Sequence, residues 1–183
     1  SLVLDLQFSK TLSFRESCNP RVLALWLLPM ESKFSPISLN EEQWASEMNT
    51  KRSNQYRQSR GLIRQALSSL LHLPPLEIPL KASPGKPPEL KKGWGKISIS
   101  HCSDALLIGW SSKRIGVDIE RLDRQFKVNQ LLRRYFSQAE QEAMRGLNTE
   151  KLRRFVLEQW VVKEASVKWH LGNATHIETD RYS

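Results

Sequence analysis

The stretch KISISHCSDALLIGWSSKRIGVDIE, residues 96–120, decides the fold because apolar and polar residues alternate along much of it. Residues 97–100 alternate strictly, residues 105–110 form a short apolar run, and residues 114–120 alternate again. A period of two is typical of half-buried strands, and a short apolar run of a buried strand. With short polar connections between them, the three segments predict an antiparallel meander.

Two carboxylates, Asp118 and Glu120, stand on the same face of the last predicted strand. Their Cα atoms would lie about 6.5 to 7 Å apart, so the two charges repel each other unless water, a cation or a proton intervenes. Mg²⁺, which prefers oxygen ligands, would relieve that repulsion. This segment alone leaves two interpretations open: a metal site, or the solvated face of an exposed strand. Gly116 favours close approach of another group to the backbone.

The residues before this stretch predict a strand followed by helices. Residues 22–30, VLALWLLPM, read as a buried strand. Residues 38–73 predict two helical elements, with N-cap candidates at residues 38–40 and apolar residues at helical spacing towards the end. Three arginines recur along this helical region and read as a solvated face: Arg57, Arg60 and Arg64.

Prolines and glycines between residues 74 and 95 predict a long loop. Loops of this length in compact domains are often functional. Lys86 directly follows Gly85, and this pair is suited to binding an anion that must come close to the backbone. Taken alone the pair is weak evidence, because many loops contain one like it. His101 follows a predicted strand at a position where function is common, yet a single histidine there is also compatible with a structural role.

Helices return after residue 120. Ser137, with Glu140 three residues later, is a capping box that starts a helix near Gln138. A long helix is predicted between a cap at Asn148 or Thr149 and a terminator at Gly172. Its predicted apolar arc consists of Leu152, Phe155, Val156, Trp160, Val162 and Val167.

Three charged residues of this long helix can be interpreted in two ways. Glu164 and Lys168 lie on one side of the helix, either as part of a site or as an ordinary surface ion pair. Lys163 falls inside the apolar arc, where its ammonium group must reach water or an anion.

Length and composition indicate a folded protein with affinity for polyanions. The 183 residues suffice for one substantial domain or two small ones, and the formal net charge of +9 attracts nucleic acid, acidic lipid, phosphorylated molecules or an acidic protein. The apolar run at residues 22–30 is too short to span a bilayer. Cys18 and Cys102 allow at most one disulfide and fit no metal-binding spacing, which favours a reducing cytoplasm.

Two rival functions fit the sequence less well. A Mg²⁺-dependent nuclease would also need clustered carboxylates, but the usual E-x-K strand pattern is absent because Arg121 and Leu122 follow Glu120. A nucleic-acid-binding protein would interleave basic residues with exposed aromatic ones, whereas the aromatic residues here mostly lie in apolar arcs.

Two motifs carry a resemblance to a known family. GVDIE at residues 116–120 and WVVKEASVK at residues 160–168 fit G-[IV]-D-x-E and W-x-x-K-E-[AS]-x-x-K, in order and about 40 residues apart. The chain therefore resembles the 4'-phosphopantetheinyl transferase superfamily, in particular its larger, pseudo-dimeric group of surfactin-type and cyanobacterial enzymes. Weaker matches support it over residues 38–172: GKP at 85–87, ISH at 99–101, FSQAE at 136–140 and the basic helix that contains Arg60.

The resemblance implies an α+β fold of two similar α/β halves related by a pseudo-twofold axis. Each half would pack a small antiparallel sheet on a long helix, with coenzyme A in the cleft between them. Residues 1–110 would form the N-terminal half and residues 111–183 the C-terminal half. Because the family usually continues with further strands, we expect the C-terminal half to be incomplete at residue 183.

The resemblance also implies a reaction and its residues. The 4'-phosphopantetheine arm of coenzyme A would move to a serine of an acyl or peptidyl carrier protein, with release of 3',5'-ADP. By the same resemblance, Asp118, Glu120 and Glu164 would bind Mg²⁺, Glu164 and Lys168 would be catalytic, and Arg60, Gly85, Lys86, Pro87, Ser100, His101 and Lys163 would bind coenzyme A.

The partners implied are coenzyme A and an acidic carrier protein, steered by the positive charge of the chain. No nucleic acid or membrane is expected as a partner. A pseudo-dimer has no need to associate, so a cytoplasmic monomer is predicted. The sequence leaves open whether the pathway makes fatty acids, polyketides or nonribosomal peptides.

Overall fold

The computed structural model describes residues 23–30 and 35–171, which form small antiparallel sheets packed with helices, as expected of an α+β protein. The strands are β1 Leu23–Pro29, β2 Leu80–Lys81, β3 Glu89–Leu90, β4 Lys96–His101 and β5 Ala105–Ser111. The helices are α1 Leu39–Ser46, α2 Thr50–Leu71, α3 Val128–Tyr135, α4 Gln138–Ala143 and α5 Thr149–Leu171, with one 3₁₀ turn at Pro75–Glu77.

The main sheet has the order β1-β5-β4, and both pairings are antiparallel. Strand β5 is central because it is the most apolar of the three, with β1 on one side and β4 on the other. The expected meander is therefore wrong in its third strand: residues 114–120 belong to no strand, and β1 takes that place in the sheet. A local pattern cannot reveal this pairing, because β1 precedes β5 by about 80 residues.

One face of this sheet packs on α2 and closes the main core. Its buried side chains are Ala24, Trp26, Ile63, Ala66, Leu67, Ile78, Leu106 and Ile108. At about 25 cal/mol per Å² of apolar surface removed from water, each buried leucine or isoleucine side chain of this core stabilises the fold by roughly 1.5 to 3 kcal/mol. This core fixes β5, the strand that leads into the motif at residues 116–120, and β4 is paired with β5.

Helix α1 is attached to α2 by a buried ion pair. Glu41 contacts Arg64 at 2.7 Å, and both side chains are almost inaccessible to solvent. The guanidinium of Arg64 also donates to the carbonyl oxygens of Pro75 and Ile78, which fixes the start of the proline-rich loop. The interpretation of the arginines as a solvated face is thus wrong for Arg64 and for Arg60, which is also buried.

The proline-rich segment at residues 74–95 is mainly loop, as predicted, with the 3₁₀ turn and the short β2–β3 pair inside it. The predicted capping box at Ser137 is confirmed, and among the N-cap candidates at residues 38–40 the structure uses Ser38, which also forms a capping box with Glu41. Asn148 caps α5 by accepting from the N–H of Lys151 at 2.9 Å. The predicted terminator Gly172 lies outside the described residues.

Helix α5 departs from its predicted apolar arc. Val156, Leu157 and Trp160 are buried, but Phe155 and Val167 are exposed. Val156 packs with Phe136 and Met144 in a second, smaller core. Among the described helices, none combines the length and the apolar composition needed to cross a membrane.

Candidate active site

The motif at residues 114–120 runs between the main sheet and α5. On one side, a Cβ atom at Gly109 of β5 would come within 2.7 Å of the Ile115 and Val117 side chains. On the other side, a Cβ atom at Gly116 would overlap the Ala165 carbonyl oxygen. Odd-numbered residues thus face the sheet and even-numbered ones face α5. The predicted alternation of faces is confirmed although the segment is not a strand.

Asp118 is the residue on which three elements converge. Its Oδ1 accepts a hydrogen bond from Ser100 Oγ of β4 at 2.7 Å and another from Lys168 Nζ of α5 at 2.6 Å. The Asp118 side chain is only 9% exposed, so the ammonium of Lys168 compensates a largely desolvated charge. The structure therefore joins Ser100, Asp118 and Lys168, which the sequence singled out separately.

Glu120 lies beside Asp118 and has a cation of its own. It forms an ion pair with Arg124, whose guanidinium stacks 4.7 Å from the centre of the Trp160 ring. Burial raises the pKa of Glu120 above its ordinary value; Arg124 opposes the rise, and the Asp118 carboxylate adds to it. Asp118 and Glu120 are thus close enough to repel, as the sequence predicted.

Glu164, the third predicted metal ligand, lies one helical turn before Lys168. Its Oε1 accepts a hydrogen bond from the Trp160 indole N–H at 3.3 Å. Within residues 23–30 and 35–171, no three Asp, Glu, His or Cys side chains are gathered closely enough to hold a metal ion. The donor chemistry nevertheless suits Mg²⁺, since all three predicted ligands are carboxylates and two of them repel each other. The metal assignment stays a prediction.

His101 ends β4 next to Ser100, in a positively charged environment. Desolvation by the surrounding protein, with the positive charges of Lys168 and Arg60, lowers the pKa of His101, while Asp118 opposes this shift. The imidazole is therefore biased towards its neutral form, although part of its surface remains exposed. Cations around a surface histidine make this corner suitable for phosphate groups.

Arg60 connects this corner to the proline-rich loop. Its Nε donates to the Ala82 carbonyl oxygen at 3.2 Å, and its guanidinium lies 4.5 Å from the centre of the Tyr56 ring. The Tyr56 hydroxyl donates to the same carbonyl at 2.8 Å. Gly85, Lys86 and Pro87 follow within a few residues and are exposed, with Gly85 at a φ of 73°. The loop is thus anchored at one end by α2.

Lys163, which was predicted to bind coenzyme A, contacts helix α4 instead. Its Nζ contacts Glu140 Oε1 at 2.9 Å and lies 5.0 Å from the centre of the Phe136 ring. This ion pair, together with hydrogen bonds from Ser137, lowers the pKa of Glu140 to about 2. Lys163 therefore joins α5 to α4, and its contact with coenzyme A remains a prediction.

An open groove of about 350 Å³ lies beside the carboxylates. It is lined by His101, Cys102, Ser103, Glu120, Arg121, Asp123 and Arg124. Arg121 pairs with both Asp104 and Asp123, and this pairing fixes the turn after the motif.

Sequence reasoning missed two residues near Asp118. Arg124 has no motif that would reveal its contact with Glu120, because residues 120–124 form no helix. The Oγ of Ser98 accepts a hydrogen bond from the Val117 N–H at 3.1 Å. The sequence pattern could have indicated this residue, because Ser98 and Ser100 lie on the same face of β4.

One comparison with known proteins gives a match. The family model described as the 4'-phosphopantetheinyl transferase superfamily matches residues 114–180, the segment that contains Asp118, Glu120, Glu164 and Lys168. No curated protein matches the chain.

Proposed function

Because the model of the 4'-phosphopantetheinyl transferase superfamily matches residues 114–180, we propose that the chain transfers the 4'-phosphopantetheine arm of coenzyme A to a serine of an acyl or peptidyl carrier protein. The released product is 3',5'-ADP. One observation carries the proposal: Asp118, which lies inside the matched segment, accepts hydrogen bonds from both Ser100 and Lys168. Glu120 lies close enough for its charge to interact with that of Asp118.

In this proposal Asp118, Glu120 and Glu164 hold Mg²⁺. When bound, the ion offsets the negative charge that develops on the pyrophosphate. The mutual repulsion of Asp118 and Glu120 supports the assignment, because a cation between two half-buried carboxylates removes an unfavourable interaction.

The remaining chemistry belongs to the side chains. The serine oxygen of the carrier forms a bond to the phosphorus that bears the pantetheine arm, and the bond from that phosphorus to the bridging oxygen breaks. The bond's electron pair leaves with 3',5'-ADP. Glu164 accepts the serine proton, directly or through water, and Lys168 stabilises negative charge on the reacting phosphate.

Coenzyme A would lie along the positively charged corner. His101 and Arg60 supply hydrogen-bond donors and positive potential for its phosphates, and Ser100 lies between them and Asp118. Gly85, Lys86 and Pro87 form an exposed loop suited to the adenine end. Lys163 would need to leave Glu140 before it could reach a phosphate.

The finer assignments are part of the same proposal. They are the pseudo-twofold pair of halves at residues 1–110 and 111–183, a coenzyme A cleft between them, an acidic carrier as partner, and a cytoplasmic monomer. The net charge of +9 supports an acidic carrier, because it favours encounter with a negatively charged protein.

Mass spectrometry of a carrier protein tests the proposal. The chain is incubated with coenzyme A, Mg²⁺ and an apo carrier from fatty-acid synthesis or from a peptide synthetase. We expect a mass increase of one phosphopantetheine group, and none for a carrier whose acceptor serine is replaced by alanine. Unchanged masses for both kinds of apo carrier would refute the proposal.

A further inference from the structure

The backbone of the motif is attached to β4 by a side chain. Residues 114–120 make no ladder with the sheet, yet they run beside β4. The N–H of Val117 donates instead to Ser98 Oγ at 3.1 Å. Ser98 is 7% exposed and Val117 is buried as well. A backbone donor placed there needs an acceptor, since a buried N–H without a partner is costly.

Ser98 and Ser100 act on consecutive residues of the motif. Both serines lie on one face of β4, where Ser98 accepts from the Val117 backbone and Ser100 donates to the Asp118 carboxylate. The first contact fixes the peptide that precedes Asp118, and the second fixes the carboxylate itself. Two contacts at adjacent residues restrict both the position and the rotation of the segment.

On the side that faces α5, close packing against the helix backbone limits where the segment can lie. Gly116 lies so close to α5 that an added Cβ would overlap the Ala165 carbonyl and come 2.5 Å from the Trp169 amide nitrogen. The segment therefore cannot move towards α5. The Ser98 hydroxyl holds it on the β4 side, at the distance where Lys168 reaches Asp118.

From these contacts we infer that Ser98 is a positioning residue for the transfer reaction. It acts through the Val117 amide to hold Asp118 against Lys168, and it touches neither substrate nor metal. The inference rests on the proposed function, and it adds to it a residue that lies outside the segment matched by the family model.

The test compares Ser98→Ala with Ser98→Thr and with a matched control. Ser98→Ala removes the acceptor, whereas Ser98→Thr keeps a hydroxyl and suits a strand. The control is Ser111→Ala, because Ser111 is also a buried strand serine whose Oγ accepts a backbone N–H, that of Lys113 at 3.1 Å. Ser98→Cys, with a weak acceptor, replaces the alanine variant if that variant does not fold.

Two measurements are made on each variant. Residue-resolved amide exchange reports the Val117 contact without any turnover, and we expect about tenfold faster exchange in Ser98→Ala. Transfer rates over a Mg²⁺ titration report the position of Asp118. There the half-saturating concentration should rise about tenfold, as for residues that orient metal ligands elsewhere. The Michaelis constant for the carrier should not change.

The outcomes separate the inference from the proposed function. Ser98→Thr should restore slow exchange and the original Mg²⁺ dependence, and Ser111→Ala should leave both the exchange of Val117 and the Mg²⁺ dependence unchanged. A wild-type chain that transfers normally, with Ser98→Ala unchanged in both measurements, would overturn the positioning role and leave the proposed function intact. A wild-type chain without transfer activity would overturn both.

Discussion

Two regions of the molecule are held together in different ways. The sheet region, which consists of β1, β4, β5 and α2, buries large apolar side chains completely, among them Ile63, Leu67, Leu106 and Ile108. The site region, residues 114–120 with α5, buries little of its helix and leaves Phe155, Val167 and Trp169 exposed. Ion pairs, serine hydroxyls and the close fit at Gly116 hold it in place.

The difference indicates how stability and chemistry are divided. Burial of apolar surface is non-directional, so it stabilises a fold without placing any atom to within a few tenths of an ångström. Hydrogen bonds and ion pairs are directional and position the groups they join. Changes to the buried apolar side chains of the sheet region should therefore alter stability, and changes to the polar contacts around residues 114–120 should alter transfer.

The largest expected effect is on transfer, in Asp118→Asn. The change keeps the size of the side chain but removes the charge that Lys168 and the proposed Mg²⁺ need. We expect the rate of carrier modification to fall about 10³-fold, comparable with the loss of a group that stabilises transition-state charge. The urea midpoint should change little.

A matched variant checks that the fall in transfer rate does not result merely from the loss of one negative charge. Glu142→Gln on α4 removes an exposed carboxylate that pairs with Arg145, far along the chain from the motif. It should transfer at the wild-type rate. Equal losses in the two variants would show that the loss of one negative charge, and not the position of Asp118, lowers transfer.

The reverse effect is expected in the sheet region. Leu106→Ala removes a fully buried side chain of β5 and should lower the free energy of unfolding by about 3 kcal/mol, measured by urea denaturation. Transfer per folded molecule should remain near wild type at a temperature where the variant is folded. Leu39→Ala serves as a control, because Leu39 is 89% exposed and its loss should change stability very little.

Gly116→Ala tests the boundary between the two regions. The new methyl group would overlap the α5 backbone, and we expect a loss of about 2 kcal/mol of stability together with a loss of transfer. Gly93→Ala is the comparison, since Gly93 has open space around it and only its φ of 96° is unfavourable to alanine. Gly93→Ala should lose some stability and keep its activity. Full activity in Gly116→Ala would show that the fit against α5 is not needed.

The sequence predicted the sheet region better than the site region for physical reasons. The apolar runs of β1 and β5 depend on neighbouring residues, so local patterns reveal them, as they also reveal the capping box at Ser137 outside this region. The pairing of β1 with β5 depends on residues far apart, and alternation at residues 114–120 predicted a strand where serine contacts replace the ladder.

Within the site, residue types were predictable but several partners were not. The motifs indicated Asp118 and Lys168, and the structure brings the two into contact. Ser100 was expected on a phosphate but bonds Asp118, and Arg124 was not expected to contact Glu120. Such partners depend on how α5 lies against the motif, and a one-dimensional pattern contains no information on that packing.

The smallest expected effect concerns Lys163, for which the resemblance and the contacts disagree. The ion pair with Lys163 lowers the pKa of Glu140 to about 2, below its ordinary value of 4.5. The stability it contributes is thus present above pH 4.5 and is lost as the pH falls through 2. In Lys163→Met, the pKa of Glu140 should rise towards its ordinary value but not reach it, because the Ser137 backbone N–H still donates to its carboxylate.

Carboxyl-carbon NMR titration of Glu140 measures that pKa, and the Michaelis constant for coenzyme A is determined on the same variant. A lysine that only joins α5 to α4 predicts a shifted titration and an unchanged constant. Lys151→Met, which removes an exposed lysine at the start of α5, controls for the loss of one positive charge. A constant that rises about tenfold in Lys163→Met alone would instead place Lys163 on a phosphate, since one charged hydrogen bond has an effect of that size. In that case α5 contributes to coenzyme A binding as well as to the contact with Asp118, and its ion pair with α4 opens when coenzyme A binds.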